Sequence, residues 1–190
     1  MLRGGGRAGT IQRMTGDDTG TARKVRQAVP GDWATLRQLR LAALAEAPQS
    51  FSSTLDREID HPEKFWRARI AAWPQFIAWA DAEPVGIAAG VAEPAAGDQA
   101  GAGIRGSWHL VSMWVSPQAR GRGIADDLVA AVSECARRDG ARRITLWVTD
   151  VNDRARAFYQ RMGFRSTGRR QLARPEEPDH WEEEQALDLS

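Results

Sequence analysis

Hydrophobic positions recur in two rhythms along this chain, and the switches between them mark its elements. Ala22 to Val29 reads as a short strand, and Pro30-Gly31-Asp32-Trp33 is turn chemistry in which Asp32 can cap a helix. Trp33, Leu36, Leu39, Arg40, Ala43 and Leu44 then recur at helical spacing until Pro48 forbids continuation. His61-Pro62-Glu63 opens a second predicted helix through Phe65, Trp66, Arg69 and Ile70. Phe76 to Ala80 and Val85 to Val91 form a predicted hairpin around the turn at Asp81 to Pro84. After a loop from Ala92 to Gly106 comes the best strand of the sequence, Trp108 to Val115. Pro117 and an arginine-glycine turn follow it, and then a helix with Ile124, Leu128, Val132 and Cys135 on one face, closed by Gly140. Ile144 to Val148 is another apolar strand, and a shorter helix carries Ala155, Phe158, Tyr159 and Met162. Gly163-Phe164 stops that helix and begins a strand, residues 169 to 180 read as a loop, and Trp181 to Leu189 as a final strand. This order predicts an α/β (α+β) domain: a mixed, mostly antiparallel central sheet of six to seven strands with helices on both faces.

Residues 1–20 are rich in Gly, Thr and charge without a sustained period, so a disordered or loosely packed tail is expected, followed by a single domain over 21–190. No apolar run suits a membrane span or a signal peptide, and a soluble cytoplasmic protein is the expectation. The 26 basic residues nearly balance the 25 acidic ones, which argues against a nucleic-acid partner. Only Lys24 and Lys64 are lysines, leaving 24 arginines, many of them in the second half. Cys135 is the only cysteine, so no internal disulfide or multi-cysteine metal site is available, and its place on an apolar helix stripe marks it as a packing residue. Gly101 to Gly106 matches G-x-G-x-x-G, but a loop precedes it and a strand follows, the wrong setting for a dinucleotide fingerprint.

The candidate chemistry lies in Val111 to Ala125, V-S-M-W-V-S-P-Q-A-R-G-R-G-I-A. A strand delivers the chain into a tight turn and a helix begins at once, so its first unpaired N–H groups form a site for phosphate oxygens. Gly121 and Gly123 allow close backbone approach, and Arg120 and Arg122 add positive charge. A plain glycine-containing connection with solvated arginines fits this turn equally well when it is taken alone.

A second block, N-D-R-A-R-A-F-Y-Q-R-M-G-F from Asn152 to Phe164, follows the next strand. Together the two blocks resemble the signatures of the GNAT superfamily of acyl-CoA-dependent N-acyltransferases. Gln118, Gly121 and Gly123 meet [QR]-x-x-G-x-[GA]; Asn152, Ala155, Phe158, Tyr159, Gly163 and Phe164 meet N-x-x-A-x-x-[FL]-Y-x-x-x-G-F. The resemblance implies acetyl-CoA as cosubstrate and no metal. It implies that the backbone of Met113, Trp114 and Val115 pairs with the pantetheine arm and that Gln118 and the turn from Arg120 through Gly121, Arg122, Gly123 and Ile124 to Ala125 hold the pyrophosphate. It also implies that Asn152 contacts the cofactor near the arm and that Tyr159 serves as general acid to the departing thiolate. Tyr159 is the only tyrosine, and a phenol with a pKa near ~10 stays neutral at pH 7.

The general base is less defined. His109 enters the site on the key strand and, by strict alternation, shares a face with Val111, Met113 and Val115; a strand histidine without a catalytic task fits the pattern as well. Glu46, Glu58, His61 and His180 are weaker candidates. Residues 46–62, the expected acceptor wall, carry Phe51 and Leu55 with Glu46, Asp56, Glu58 and Asp60, which suits a cationic amine or, equally, the solvated faces of a helix pair. The expected function is N-acetyl transfer to a primary amine of a small molecule by direct attack in a ternary complex. The alternatives are a CoA-binding sensor or interaction module without turnover, and an acyltransferase acting on a protein N-terminus or lysine. The eight tryptophans leave room for a homodimer interface.

Overall fold

The computed structural model describes residues 12–16, 22–93 and 106–189. Eight strands form one sheet in the order β1-β2-β3-β4-β5-β6-β8-β7. They are β1 (Gln12–Gly16), β2 (Ala22–Gln27), β3 (Gln75–Ala80), β4 (Glu83–Ala92), β5 (Ser107–Val115), β6 (Arg143–Thr149), β7 (Arg165–Leu172) and β8 (Trp181–Asp188). Every neighbouring pair is antiparallel except β5 and β6. The helices are α1 (Trp33–Glu46), the one-turn α2 (Leu55–Glu58), α3 (Glu63–Ala72), α4 (Ile124–Arg138) and α5 (Asp153–Arg161). None among the described residues is long and apolar enough to cross a membrane.

The core has two halves, one on each face of the sheet. Leu128, Val129 and Val132 of α4 and Tyr159 of α5 pack on Phe76, Ala88, Leu110 and Val115. Leu36, Leu39 and Ala43 of α1 and Ile70 of α3 pack on Ile77, Ile87 and Trp114. Burying a side chain of this kind contributes about 1.5–3 kcal/mol, so the sheet is clamped from both sides. Cys135 packs against the α4 half, as its place on the apolar stripe predicts, and burial raises its thiol pKa.

Residues 12–16 form β1, five residues paired with β2; a short polar edge strand takes its order from its neighbour's hydrogen bonds and carries no apolar period to read. Two expectations are corrected. Strand β7 continues to Leu172 where a loop was expected from 169, because β8 supplies it with partners on both sides of a bulge at Gly168, whose φ is +78°. Asp32 does occupy the N-cap position of α1, but its carboxylate accepts from the Val29 N–H (2.7 Å) and from Arg26 (2.7 Å) instead of capping the helix. The G-x-G-x-x-G match falls largely on 101–105, outside the described residues.

One irregularity in β5 decides how the site is built. Trp114 stands opposite Ile87, yet Val111 stands opposite Ala89, so β5 takes three steps where β4 takes two. The extra residue lies at Ser112–Met113, and Ser112 has φ +56°, in the left-handed region that L residues with a full side chain seldom occupy. An inserted residue reverses the alternation beyond it. Met113 and Val115 therefore pack with the α4 half of the core, Trp114 with the α1 half.

Candidate active site

Strands β5 and β6 pair only over Ser107–His109 and Arg143–Thr145. Beyond that point no strand bonds the β6 side of β5 among the described residues, and a cleft of about 790 Å³ occupies the opening. Met113, Trp114 and Val115 line it together with residues of the turn before α4, of α5 and of the segment after α1. An unpaired strand edge beside a cavity offers N–H and C=O groups to an extended ligand carrying amides.

The turn meets the cleft at the N-terminus of α4. Gly121 (φ +80°) and Gly123 (φ +76°) both need the left-handed region. Among the described residues, no acceptor bonds the N–H groups from Gly121 to Asp126; the ladder resumes with the Asp127 N–H on the Gly123 carbonyl (3.1 Å). Asp126 and Asp127 would oppose an anion here, but each has a cationic partner: Arg161 grips Asp126 at 2.7 and 3.1 Å, and Arg23 lies 3.5 Å from Asp127. What remains is a helix end with free donors and a partial positive charge, open to the cleft through Gly121, Gly123, Ile124 and Ala125.

Arg23 has no signal in the turn's own sequence. It reaches from β2 to the Arg122 carbonyl, and a Cβ on Gly123 would come within 2.9 Å of its guanidinium. The space a side chain on Gly123 would need is thus taken by Arg23, whereas nothing stands within 4 Å of a Cβ on Gly121. Arg120 lines the cleft, but its guanidinium donates to the Val115 carbonyl (3.0 Å) and to Glu46 (2.7 Å). Gln118 and Arg122 are exposed and do not line it.

Helix α5 supplies the opposite wall. The Asn152 side chain caps it, accepting from the Ala155 N–H at 3.0 Å, and its amide donates to Ser50 Oγ at 3.1 Å. That second bond ties the α5 cap to the segment after α1. Tyr159 lines the cleft with its ring wedged edge-on between Phe158 and Phe164. No hydrogen bond engages its hydroxyl among the described residues, and burial pushes its pKa well up, so the phenol stays protonated.

The expected acceptor wall enters the cleft only over Glu46 to Phe51. Glu46 Oε2 accepts from Arg120 and from the Trp114 indole N–H (3.0 Å). The Arg120 bond holds its pKa below the usual carboxylate range, against partial desolvation. Arg174, from the β7–β8 loop, is nearly buried and donates to the carbonyls of Pro48 and Phe51 (2.9 Å), fixing this wall from outside. Glu58 is buried between Arg40 (2.7 Å) and Arg69 (3.4 Å). Burial alone would raise its pKa, but the Arg40 bonds and both positive charges outweigh that and keep it low. His61 stacks on Phe65 at 3.7 Å and His180 bonds Glu177 at 2.7 Å; neither lines the cleft.

His109 does not line the cleft. It sits where β5 and β6 are still paired, with Nδ1 2.8 Å from Thr145 Oγ1 and 3.8 Å from Glu93. Burial lowers its pKa. The bulge puts Met113 and Val115 on the other face from Val111 and His109, and four residues at roughly 3.3 Å each separate His109 from Met113. A base has to come within hydrogen-bond reach of the proton it takes, directly or through one water. Among the described residues no three His, Cys, Asp or Glu gather as a metal site.

The solved structure of YncA of Salmonella typhimurium with its cofactor acetyl-CoA is similar with a TM-score of 0.72 at 18% identity, over 94% of this chain and 95% of that one. A ribosomal-protein-alanine N-acetyltransferase from Brucella melitensis is similar with a TM-score of 0.67 at 23% identity, over 87% and 99%. The GNAT domain of Streptomyces lividans PAT gives 0.67 at 17%, over 94% and 97%. These likenesses show the fold. No curated protein matches the chain in sequence. The sequence model of the acetyltransferase (GNAT) family, however, matches residues 37–164, which include the split strand, the glycine turn and the whole Asn152–Phe164 block. The chain belongs to the acetyltransferase (GNAT) family and is an acyltransferase.

Proposed function

We propose that the protein is a cytoplasmic N-acetyltransferase that moves the acetyl group of acetyl-CoA to a primary amine of a small molecule by direct attack in a ternary complex. The observation that carries this reading is the cleft itself, where the open edge of β5, the free N–H groups of α4 and the Tyr159 phenol line one cavity with Glu46 on its far wall. The fit to acetyl-CoA is supported by the charge of the turn: its two aspartates are paired with arginines, leaving unopposed donors for a pyrophosphate. Met113 to Val115 would hold the arm by their main chain, Gly121 to Ala125 the pyrophosphate, and Asn152 the arm near its middle. Acetyl-CoA supplies an activated thioester.

The amine nitrogen attacks the thioester carbonyl carbon, a C–N bond forms and the C–S bond breaks. The main chain near Val115 polarises the carbonyl, and the Tyr159 hydroxyl donates to the sulfur as negative charge develops there. Burial keeps the phenol protonated, so Tyr159 can donate a hydrogen bond to the sulfur that becomes proton delivery as the C–S bond breaks and basicity develops there. Glu46, held ionised, attracts a cationic amine into the cleft and is a weak proton acceptor for the same reason. The proton lost by the amine leaves through water in the open cleft.

Free-thiol release from acetyl-CoA against a panel of small amines, with a lysine peptide and peptides bearing free N-termini, tests the reading. Turnover with a small amine supports it. Turnover with peptides alone replaces the acceptor class, and CoA binding without turnover on any acceptor replaces the enzyme with a binding module.

A further inference from the structure

The most deeply buried ionic group among the described residues lies outside the cleft. Arg40 of α1 donates to both oxygens of Glu58 (2.7 and 3.0 Å), and Arg69 of α3 approaches the same carboxylate at 3.4 Å. Side-chain exposure is 7% for Arg40, 6% for Glu58 and 14% for Arg69, so one carboxylate faces two guanidiniums away from water. Aromatic faces cover the excess charge: Arg69 lies over Trp66 (6.0 Å) and Trp73 (5.9 Å), and Arg40 over Phe51 (4.8 Å). Burying such a cluster is a poor route to stability, since well-packed apolar residues of similar volume do as well.

What the cluster holds is the free arm of Arg69. Its Nη2 donates to Ser112 Oγ at 3.0 Å. Ser112 is the bulge residue, and among the described residues only Asp81 and Ser112 have positive φ without being glycine. Asp81 sits in the β3–β4 turn, where such a conformation is ordinary; Ser112 sits within a strand. The bulge turns Trp114 to the α1 face, where its indole meets Glu46, and sets the direction of the main chain from Met113 to Val115.

We propose that Arg69, anchored by Glu58 and Arg40, is a positioning residue that holds the β5 bulge through Ser112 and so aims the main chain of Met113 to Val115 into the cleft. The proposal rests on the reading of that strand as the seat of the acyl donor. It explains why a serine stands where glycine would be less strained: the hydroxyl is the handle by which α3 grips the strand.

Ser112→Gly tests it, because it relieves the backbone strain and removes the handle together, and Ser112→Ala removes the handle alone. Both are expected to lower kcat about 10-fold, the scale of a small misplacement of reacting groups, while the Kd for CoA measured by calorimetry rises only about threefold, because the seat of the arm is loosened and the pyrophosphate end at α4 is untouched. Amide hydrogen exchange at Met113 to Val115 should accelerate at least about 10-fold with no change along α4. Wild-type kcat and exchange rates in Ser112→Gly would overturn the proposal, since a merely tolerated bulge is served as well by glycine. If the wild-type protein turned over no amine, the function would fall while the exchange measurement still decided the role of Arg69.

Discussion

The two ends of β5 have the same neighbours in sequence order and opposite fates. At Ser107–His109 the strand is bonded on both sides, Trp108 is buried with its indole on Asp139 (3.1 Å), and His109 rests on Thr145. Six residues on, at Val115, β6 has moved away, and the same strand lines a cavity. One inserted residue and one lost partner separate sheet from site. A chemical group at the closed end is there to satisfy its neighbours, and one at the open end is available to a ligand.

The largest expected effect sharpens that contrast at the open end. Tyr159→Phe keeps the ring between Phe158 and Phe164 and removes only the hydroxyl. It should lower kcat by about 100-fold or more, the scale of a lost proton donor, with the Kd for acetyl-CoA unchanged. Steady-state thiol release with calorimetry on the same sample checks it, and a loss below about threefold removes Tyr159 from the chemistry.

Next comes the helix end. Gly123→Ala forces an L residue to φ +76° and drives a Cβ to within 2.9 Å of the Arg23 guanidinium. The turn has to shift, and the free N–H groups with it. The KM for acetyl-CoA should rise about 10-fold while kcat at saturation is kept, because interactions shared by ground and transition states act on KM. A kcat loss at constant KM would mean that the turn acts on the reacting end instead.

How much of this was legible before folding divides along the same line. The glycine turn and α5 were readable because their parts are local: a turn must have its glycines close together, and Asn152, Ala155 and Tyr159 belong to one short helix and its cap. The bulge was not, since Val-Ser-Met-Trp-Val reads as an unbroken strand and nothing in Ser112 announces positive φ. Strict alternation then set His109 with Met113, which the inserted residue undoes. Arg23 reaches the turn from 99 residues away, and Glu58 looks like one of the solvated charges of a helix pair until α2 folds back on Arg40 of α1. Tertiary contacts between charged residues carry no periodic trace in sequence.

A smaller effect probes the acceptor wall. Glu46→Gln preserves acceptors for Trp114 and Arg120 but removes the charge. The KM for a cationic amine should rise about 10-fold, the scale of a lost charged hydrogen bond, and the KM for acetyl-CoA should not. Comparing a cationic amine with a neutral hydroxyl-bearing amine separates attraction from shape; equal losses for both would assign Glu46 to holding Trp114 in place.

The smallest effect is expected at the closed end, in His109→Gln. Glutamine can still bond Thr145, and His109 does not line the cleft that Tyr159 lines, so kcat/KM should change by less than about twofold. The pH–rate profile of the wild type should rise toward the pKa of the acceptor amine, with no limb near the ~6.5 of a histidine and none from Tyr159, whose raised pKa keeps it protonated. Stability is where His109 should register. Burial lowers its folded pKa below the unfolded ~6.5, so the unfolded chain takes up the proton first as pH falls, and folding loses ground from about pH 6.5 downward. Above that value both states are neutral and the linkage vanishes. Urea midpoints of wild type and His109→Gln should therefore keep a constant offset above pH 7 and converge toward pH 5. An activity limb near 6.5 that the substitution abolishes would return His109 to the chemistry and erase the distinction between the two ends of β5.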